Sequence, residues 1–248
     1  MSNLAIVIPS RLESTRLPNK PLIKFKGIPM IIHVALTCME TITPHNVFVS
    51  SPNKEILDLC SKFKINTHQS SFEAKSGTDR IVEFIKTHNF TRIINVQGDE
   101  LLLNKNCLKN FIKNTKEKTN ATIGIAAISN LSEIKSASVV KISHSKGKLI
   151  YASRSEIPSS YYSQKHKFFK QTGLYMYTRE SLVQFSLAVQ GELEKIEKVE
   201  ILRLIENRFP VDVVKVEDYQ YTIDTSKNVK DARTLISKGF SLGGFKVK

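Results

Sequence analysis

Short apolar runs alternate with amphipathic stretches through the first half of the chain. Residues 4–8 (LAIVI) carry no polar side chain, the pattern of a strand covered on both faces. Residues 29–41 (PMIIHVALTCMET) read as a helix with Pro29 near its first turn. Residues 46–51 (NVFVSS) form a second strand, and 53–63 a second helix that Asn53 is placed to cap. Within 77–88 (GTDRIVEFIKTH), Ile81, Phe84 and Ile85 fall on one helical face. Residues 92–96 (RIINV) make the next strand and run into Gln97-Gly98-Asp99-Glu100.

Beyond Asn120 the rhythm changes. Residues 121–129, 139–143, 149–154 and 173–178 are strand-like with little helix between them, which predicts an antiparallel extension. Residues 191–207 (GELEKIEKVEILRLIEN) are the clearest helix, with Leu193, Ile196, Val199, Ile201, Leu202 and Ile205 in a broad apolar stripe. Residues 211–216 return as a strand, and 226–238 close as a helix capped by Ser226. There is no internal repeat and no low-complexity linker, so residues 1–248 read as one domain. The class expected is α/β, a mostly parallel sheet with helices on both faces. In such sheets ligands sit beyond the C-terminal strand ends, which puts the loop 10–20 and the turn 97–100 on one rim.

Composition narrows the chemistry. The 41% hydrophobic and 24% charged content is that of a soluble globular protein. Cys38, Cys60 and Cys107 share no CxxC-type spacing, and the six histidines form no HExxH, which argues against a disulfide framework and a His/Cys metal site. The net charge of +14 comes from lysines scattered among acidic residues, without a basic helix interleaved with aromatics. Nucleic acid is therefore not an expected partner. No apolar run is long enough to insert in a membrane, and MSNLAIVIPS lacks the basic region and cleavage site of a signal peptide, so the expected location is the cytoplasm.

The loop after the first strand, IPSRLESTRLPNKPL, sits where phosphate-binding loops sit, yet it contains neither GxxxxGK[ST] nor GxGxxG. Any anion must be held by Arg11, Arg16 and Lys20, whose mutual repulsion a polyphosphate would relieve. As bare composition, the same stretch is a solvated basic turn. Ser76-Gly77-Thr78-Asp79-Arg80 enters a helix whose N-terminus suits an electron-rich partner, and on its own it reads equally as a cap. Asp99 follows a central strand, and Asp224 in YTIDT stands at another strand end before a helix. Each alone is turn chemistry. Paired, and matched with a cationic loop, they suit Mg²⁺, which needs only one or two protein carboxylates.

Taken in order, IPSRLESTRLPNKPL, SGTDR, NVQGDE, YASRSEIP, GLYMYTRESL, LEKIEKVEILR and IDTSKNVKDA resemble 3-deoxy-manno-octulosonate cytidylyltransferases, the CMP-Kdo synthetases, over nearly the whole chain. The resemblance implies a Rossmann-like fold of the nucleotide-diphospho-sugar transferase, glycosyltransferase-A-like kind. It also implies a homodimer, with residues about 121–190 forming the sugar-side and dimer-forming extension. It implies a cytidylyltransferase that couples CTP to the acidic sugar Kdo for lipopolysaccharide assembly, with Mg²⁺ as cofactor. By motif, Arg11, Arg16 and Lys20 would hold the CTP phosphates. Pro9, Ser10, Ser76, Gly77 and Gln97 would complete the CTP site, and Asp99 and Asp224 would bind Mg²⁺. Arg154, Gln171, Tyr175 and Glu200 would line the sugar pocket.

The sequence departs from the family pattern at four places. Leu101 replaces the usual Pro after GDE, Gln171 a His, Ile201 a Gln, and Ser226 a Pro. Two of these, Gln171 and Ile201, fall in the sugar half, so a different nonulosonic or amino-modified octulosonic acid is the alternative substrate. A non-catalytic nucleotide-binding homologue is the more distant one, and the retained Asp99 and Asp224 speak against it.

Overall fold

The computed structural model describes residues 3–14, 16–116, 119–161 and 166–243. Thr15, inside the basic loop, lies outside the described residues, as do 162–165 within the expected extension. The sheet strands are β1 (Leu4–Pro9), β2 (Val47–Ser51), β3 (Asn66–Gln69), β4 (Arg92–Val96), β5 (Ala121–Ala127), β6 (Lys141–Ser145), β7 (Lys148–Ser153), β8 (Phe169–Thr178) and β9 (Val211–Lys215). The helices are α1 (Met30–Met39), α2 (Lys54–Lys62), α3 (Gly77–Thr87), α4 (Lys105–Asn114), α5 (Leu131–Lys135), α6 (Arg179–Leu187), α7 (Glu192–Glu197), α8 (Leu202–Glu206) and α9 (Ser226–Ser237).

The strands form one nine-stranded sheet in the order β3-β2-β1-β4-β8-β5-β9-β7-β6. The pairings β1–β2, β1–β4, β2–β3 and β5–β9 are parallel, and β7 and β8 run against the rest. The N-terminal end of β8 also pairs with β6, so β5, β9, β7, β6 and that end of β8 close on one another in a ring. The antiparallel extension expected beyond Asn120 is present in the pairings of β8 with β5 and β6 and of β6 with β7, but it is continuous with the main sheet, and β9 joins it parallel to β5.

Alternation along each strand assigns the two cores. From β1, Leu4, Ile6 and Ile8 face α1, α2 and α4, packing on Ile31, Ile56 and Phe111. Ala5 and Val7 face the other way, onto Ile81 and Phe84 of α3, Phe185 of α6 and Leu202 of α8. A strand buried on both faces must be apolar throughout, which is why LAIVI shows no alternation. The three cysteines are buried and unpaired, and burial raises the pKa of all three thiols, that of Cys60 to about 12. They are core residues, as their spacing indicated.

Several local expectations change. The stretch 191–207 is not one helix; it breaks into α7 and α8 at Lys198, which adopts a left-handed φ of 54°. Thr225, not Ser226, caps α9, in a reciprocal pair with Asn228 that contributes about 1 kcal/mol. Asn53 stands at the N-cap position of α2, but its side chain accepts from Leu12 N–H and donates to Glu13, so it fastens the basic loop instead. Asp224 lies on an irregular connection, not at a strand end. Leu101 is fully buried in a third cluster with Ile223 and Val229, filling apolar space where the family has Pro. Strand β3 (NTHQ) is too polar to stand out from the pattern, and the helices α4 and α6 add to those expected.

Strand β8 is irregular between Gln171 and Tyr175, where it turns from β6 toward β4. Gly173 occupies this kink, and a Cβ there would lie 2.3 Å from a carboxylate oxygen of buried Glu100. Gly173→Ala is expected to destabilise the protein by about 1–3 kcal/mol, read as a lowered urea midpoint. An unchanged midpoint would show that the kink has room to relax.

Candidate active site

Three segments meet at the C-terminal rim of the sheet. The first is the basic loop, held at both ends. Ser10 N–H bonds to Ser50 O (2.9 Å), Leu12 N–H to Asn53 (3.1 Å), and Asn19 takes a left-handed φ of 52° to start a single 3-10 turn, Lys20–Leu22, whose Pro21 is buried. Lys20 is thereby aimed inward, while Arg11 and Arg16 stay exposed. The second is the turn after β4. At its Gly98 a Cβ would come 3.0 Å from the Pro9 carbonyl oxygen, a tight contact that favours glycine there. The third is the connection into α9, tied to that turn by Ile223 N–H to Asp99 O at 3.1 Å.

These tethers place two carboxylates on one ammonium. Lys20 Nζ lies 2.6 Å from Asp99 Oδ2 and 3.1 Å from Asp224 Oδ1, and Arg16 Nη2 lies 3.3 Å from the same Asp224 oxygen. Burial works to lower the Lys20 pKa, but Asp99 and Asp224 outweigh it and hold the group above its ordinary value. Asp99 Oδ1 is buried without a hydrogen-bond partner. A pair of acids with a spare, desolvated oxygen fits a hard divalent cation, which takes oxygen ligands and fills the rest of its shell from water and phosphate. Among the described residues no cluster of three or more His, Cys, Asp or Glu offers an alternative metal position.

Two chambers share this wall. One, of about 340 Å³, is lined by Pro9, Ser10, Arg80 and Gly98; the other, of about 540 Å³, by Arg154, Gln171, Tyr175 and Glu200. Arg11, Arg16, Lys20, Ser76, Gly77, Gln97 and Asp99 border both. All the site residues expected from sequence therefore converge, Asp224 on the larger chamber. Ser76 caps α3 in a reciprocal pair with Asp79, whose other oxygen binds Arg203 at 3.2 Å. Tyr175 is fully buried, and its hydroxyl accepts from Gln97 (3.2 Å) and Gln171 (2.5 Å). Glu200 accepts Thr78 N–H at 3.2 Å, and burial raises its carboxyl pKa. Arg154 reaches the cavity wall with its guanidinium donating to the carbonyls of Glu197 and Ala137.

Sequence reasoning passed over Glu100, although it adjoins Asp99. Its Oε1 accepts from Gly173 N–H and Tyr219 O–H, both at 2.7 Å, and Gln97 N–H donates back to Gly173 O at 2.9 Å. The carboxylate turn, the kink of β8 and the segment leading to Asp224 are locked together there. A buried acid beside Asp99 was legible, but its partners come from far along the chain.

A cytidylyltransferase family model matches residues 5–216, so the class that this sheet and rim define is a nucleotidyltransferase. The 3-deoxy-manno-octulosonate cytidylyltransferase of Chloroherpeton thalassium is 31% identical over 94% of this chain and 97% of its own length. The like-named protein of Polynucleobacter necessarius is 31% identical over 94% and 95%. A solved CMP:2-keto-3-deoxy-manno-octonic acid synthetase complexed with CTP is 28% identical, matching at a TM-score of 0.88 over 96% of this chain and 99% of that one. The chain belongs to the 3-deoxy-manno-octulosonate cytidylyltransferase family. A putative glucose-1-phosphate thymidylyltransferase from Bacillus anthracis, 13% identical with a TM-score of 0.69 over 97% and 98%, shares the fold alone.

Burial, then the charge of Asp99, pushes the Glu100 carboxyl up to about 8, against the hydrogen bonds from Tyr219 and Gly173 that lower it. A pKa raised on folding adds stability below the ordinary value of 4.5, and that stability is lost as pH climbs through about 8. Between about pH 5 and 8, metal-free wild type should therefore lose stability relative to Glu100→Gln, which keeps the shape without the ionisation. Parallel melting curves across that range would refute it.

Proposed function

We propose that the enzyme transfers the cytidylyl group of CTP to the anomeric hydroxyl of a 3-deoxy-2-keto sugar acid, Kdo, releasing pyrophosphate. The observation that carries this is the wall of Arg11, Arg16, Lys20 and Asp99 shared by two chambers. The smaller chamber takes the nucleoside, the larger the sugar acid, and the phosphates lie along the cations between them. The sugar hydroxyl attacks the α-phosphorus, the bond to the bridging oxygen breaks, the pyrophosphate carries away that electron pair, and the hydroxyl proton passes to solvent.

This chain contributes positioning and charge. Lys20 and the two arginines neutralise the leaving pyrophosphate; Ser76, Gly77 and Gln97 orient the cytidine side. Asp99 and Asp224 would hold Mg²⁺, which supplies Lewis-acid stabilisation of phosphate oxygens. The product would feed lipopolysaccharide assembly, with the enzyme acting in the cytoplasm. Among the described residues no helix is long and apolar enough to cross a membrane. For the expected homodimer, the exposed apolar side chains Leu187, Val189 and Ile196 supply surface that a second copy would cover.

A modified octulosonic or nonulosonic acid remains the second reading, favoured by one observation. Ile201 is fully buried in the core, so the position after Glu200 offers the chamber no polar side chain where the family has Gln, and the Gln171 amide nitrogen donates to Tyr175 while its oxygen is buried without a partner. Pyrophosphate release with Kdo should prefer CTP over UTP, ATP and GTP. Chelation of divalent cations should abolish it, and Asp99→Asn, Asp224→Asn and Lys20→Ala should each lower kcat by about 100-fold or more. Equal release with all four nucleotides, or full turnover in either Asp variant, would overturn the assignment; a panel of acidic sugars decides between the two substrate readings.

A further inference from the structure

The break between α7 and α8 carries a consequence for the larger chamber. Lys198 sits there at φ 54°, ψ 45°. An L residue in that conformation crowds its own Cβ against the following carbonyl, and it persists where neighbours over-determine it. Here they do. Lys198 N–H bonds to Glu194 O at 2.9 Å, Arg154 Nε donates to Glu197 O at 2.6 Å, and Arg154 Nη2 reaches Lys198 O at 3.4 Å. The Glu197 carboxylate takes Ser153 Oγ at 2.6 Å and Arg154 N–H at 2.7 Å. The end of β7 thus grips the turn, and Lys198, an exposed residue, borders the chamber two positions before Glu200.

Most other cations of that chamber are already matched. Arg203 is paired with Glu194 and Asp79, Lys170 with Glu133, and Arg16 and Lys20 with Asp224. Each guanidinium nitrogen of Arg154 donates to a main-chain carbonyl, of Glu197, Ala137 or Lys198, so three of its five N–H groups are engaged in holding the turn. Arg11 stands on the wall shared with the nucleoside chamber; Lys75, next in sequence to the shared Ser76, borders the larger chamber and likewise forms no ion pair among those between described residues. Lys198 forms no ion pair among those between described residues and lies away from the shared wall.

We propose that Lys198 is the specificity-determining cation for the carboxylate of the sugar acid, with Arg154 as the positioning residue that sets its turn. This rests on reading the larger chamber as the sugar-acid site. The test is steady-state pyrophosphate release with Kdo and with its carboxamide analogue. Lys198→Met and Lys198→Gly should each raise the KM for Kdo about 10-fold, with kcat and the KM for CTP within about 2-fold. Wild type should show a similar loss toward the carboxamide, and both variants none. Glycine suits the left-handed turn, so a wild-type KM in Lys198→Gly would overturn the proposal, as would an undiminished carboxamide penalty in either variant. Lys195→Met, on the exposed side of α7, should behave as wild type. Failure of the wild type itself to release pyrophosphate from CTP with any acidic sugar would instead overturn the functional reading.

Discussion

The site depends on holding Asp99 and Asp224 together. Two carboxylates converging on one buried ammonium repel each other, and they stay only because Lys20 lies between them and the main chain gives no alternative. The bond from Ile223 N–H to Asp99 O fixes one backbone against the other, and the 3-10 turn of Lys20–Leu22 fixes the third charge. Removing Lys20 would leave two partly desolvated carboxylates without their shared cation, which costs more than either contact contributes. The proposed divalent cation and polyphosphate would each balance the excess of one sign.

Around this centre the fold works as a set of clamps. Glu100 joins the turn after β4 to the kink of β8 and to Tyr219, so the shared wall and the larger chamber are tied through one carboxyl. Lys141 does comparable work farther out. It is fully buried without a carboxylate, and its ammonium donates to the carbonyls of Ser136, Val139 and Arg154. Such carbonyl-held cations give rigidity to loops that have no regular structure of their own. Glu194, Arg203 and Asp79 form a third clamp, joining α7 and α8 to the start of α3.

The departures from the family pattern sort by this architecture. Leu101 and Ser226 lie where packing and capping absorb the change, Leu101 in an apolar cluster and Ser226 behind the Thr225–Asn228 pair. Gln171 and Ile201 bear on the larger chamber, which we read as the sugar-acid site, one by binding Tyr175 and one by withdrawing into the core. Arg11, Arg16, Lys20 and Asp99, on the wall shared with the smaller chamber, are all retained.

Hydrophobic patterning along the sequence alone determined the apolar strands β1 and β4, the helices α1 and α3, and the rim to which the basic loop belongs, because these are local consequences of period and burial. The ordered motifs also named the residues that converge. Three things were settled only by tertiary contact. The polar strand β3 is held by its parallel pairing with β2, not by its own side chains. Asp224 reaches Asp99 through a backbone bond between distant segments, which no spacing encodes. And 191–207 has the apolar stripe of a continuous helix, yet Ser153 and Arg154, at the end of β7, bind Glu197 and favour a left-handed turn at Lys198 over the helical bonds it interrupts. Helical periodicity records only which face is buried; whether the backbone runs through depends on partners that folding brings from elsewhere.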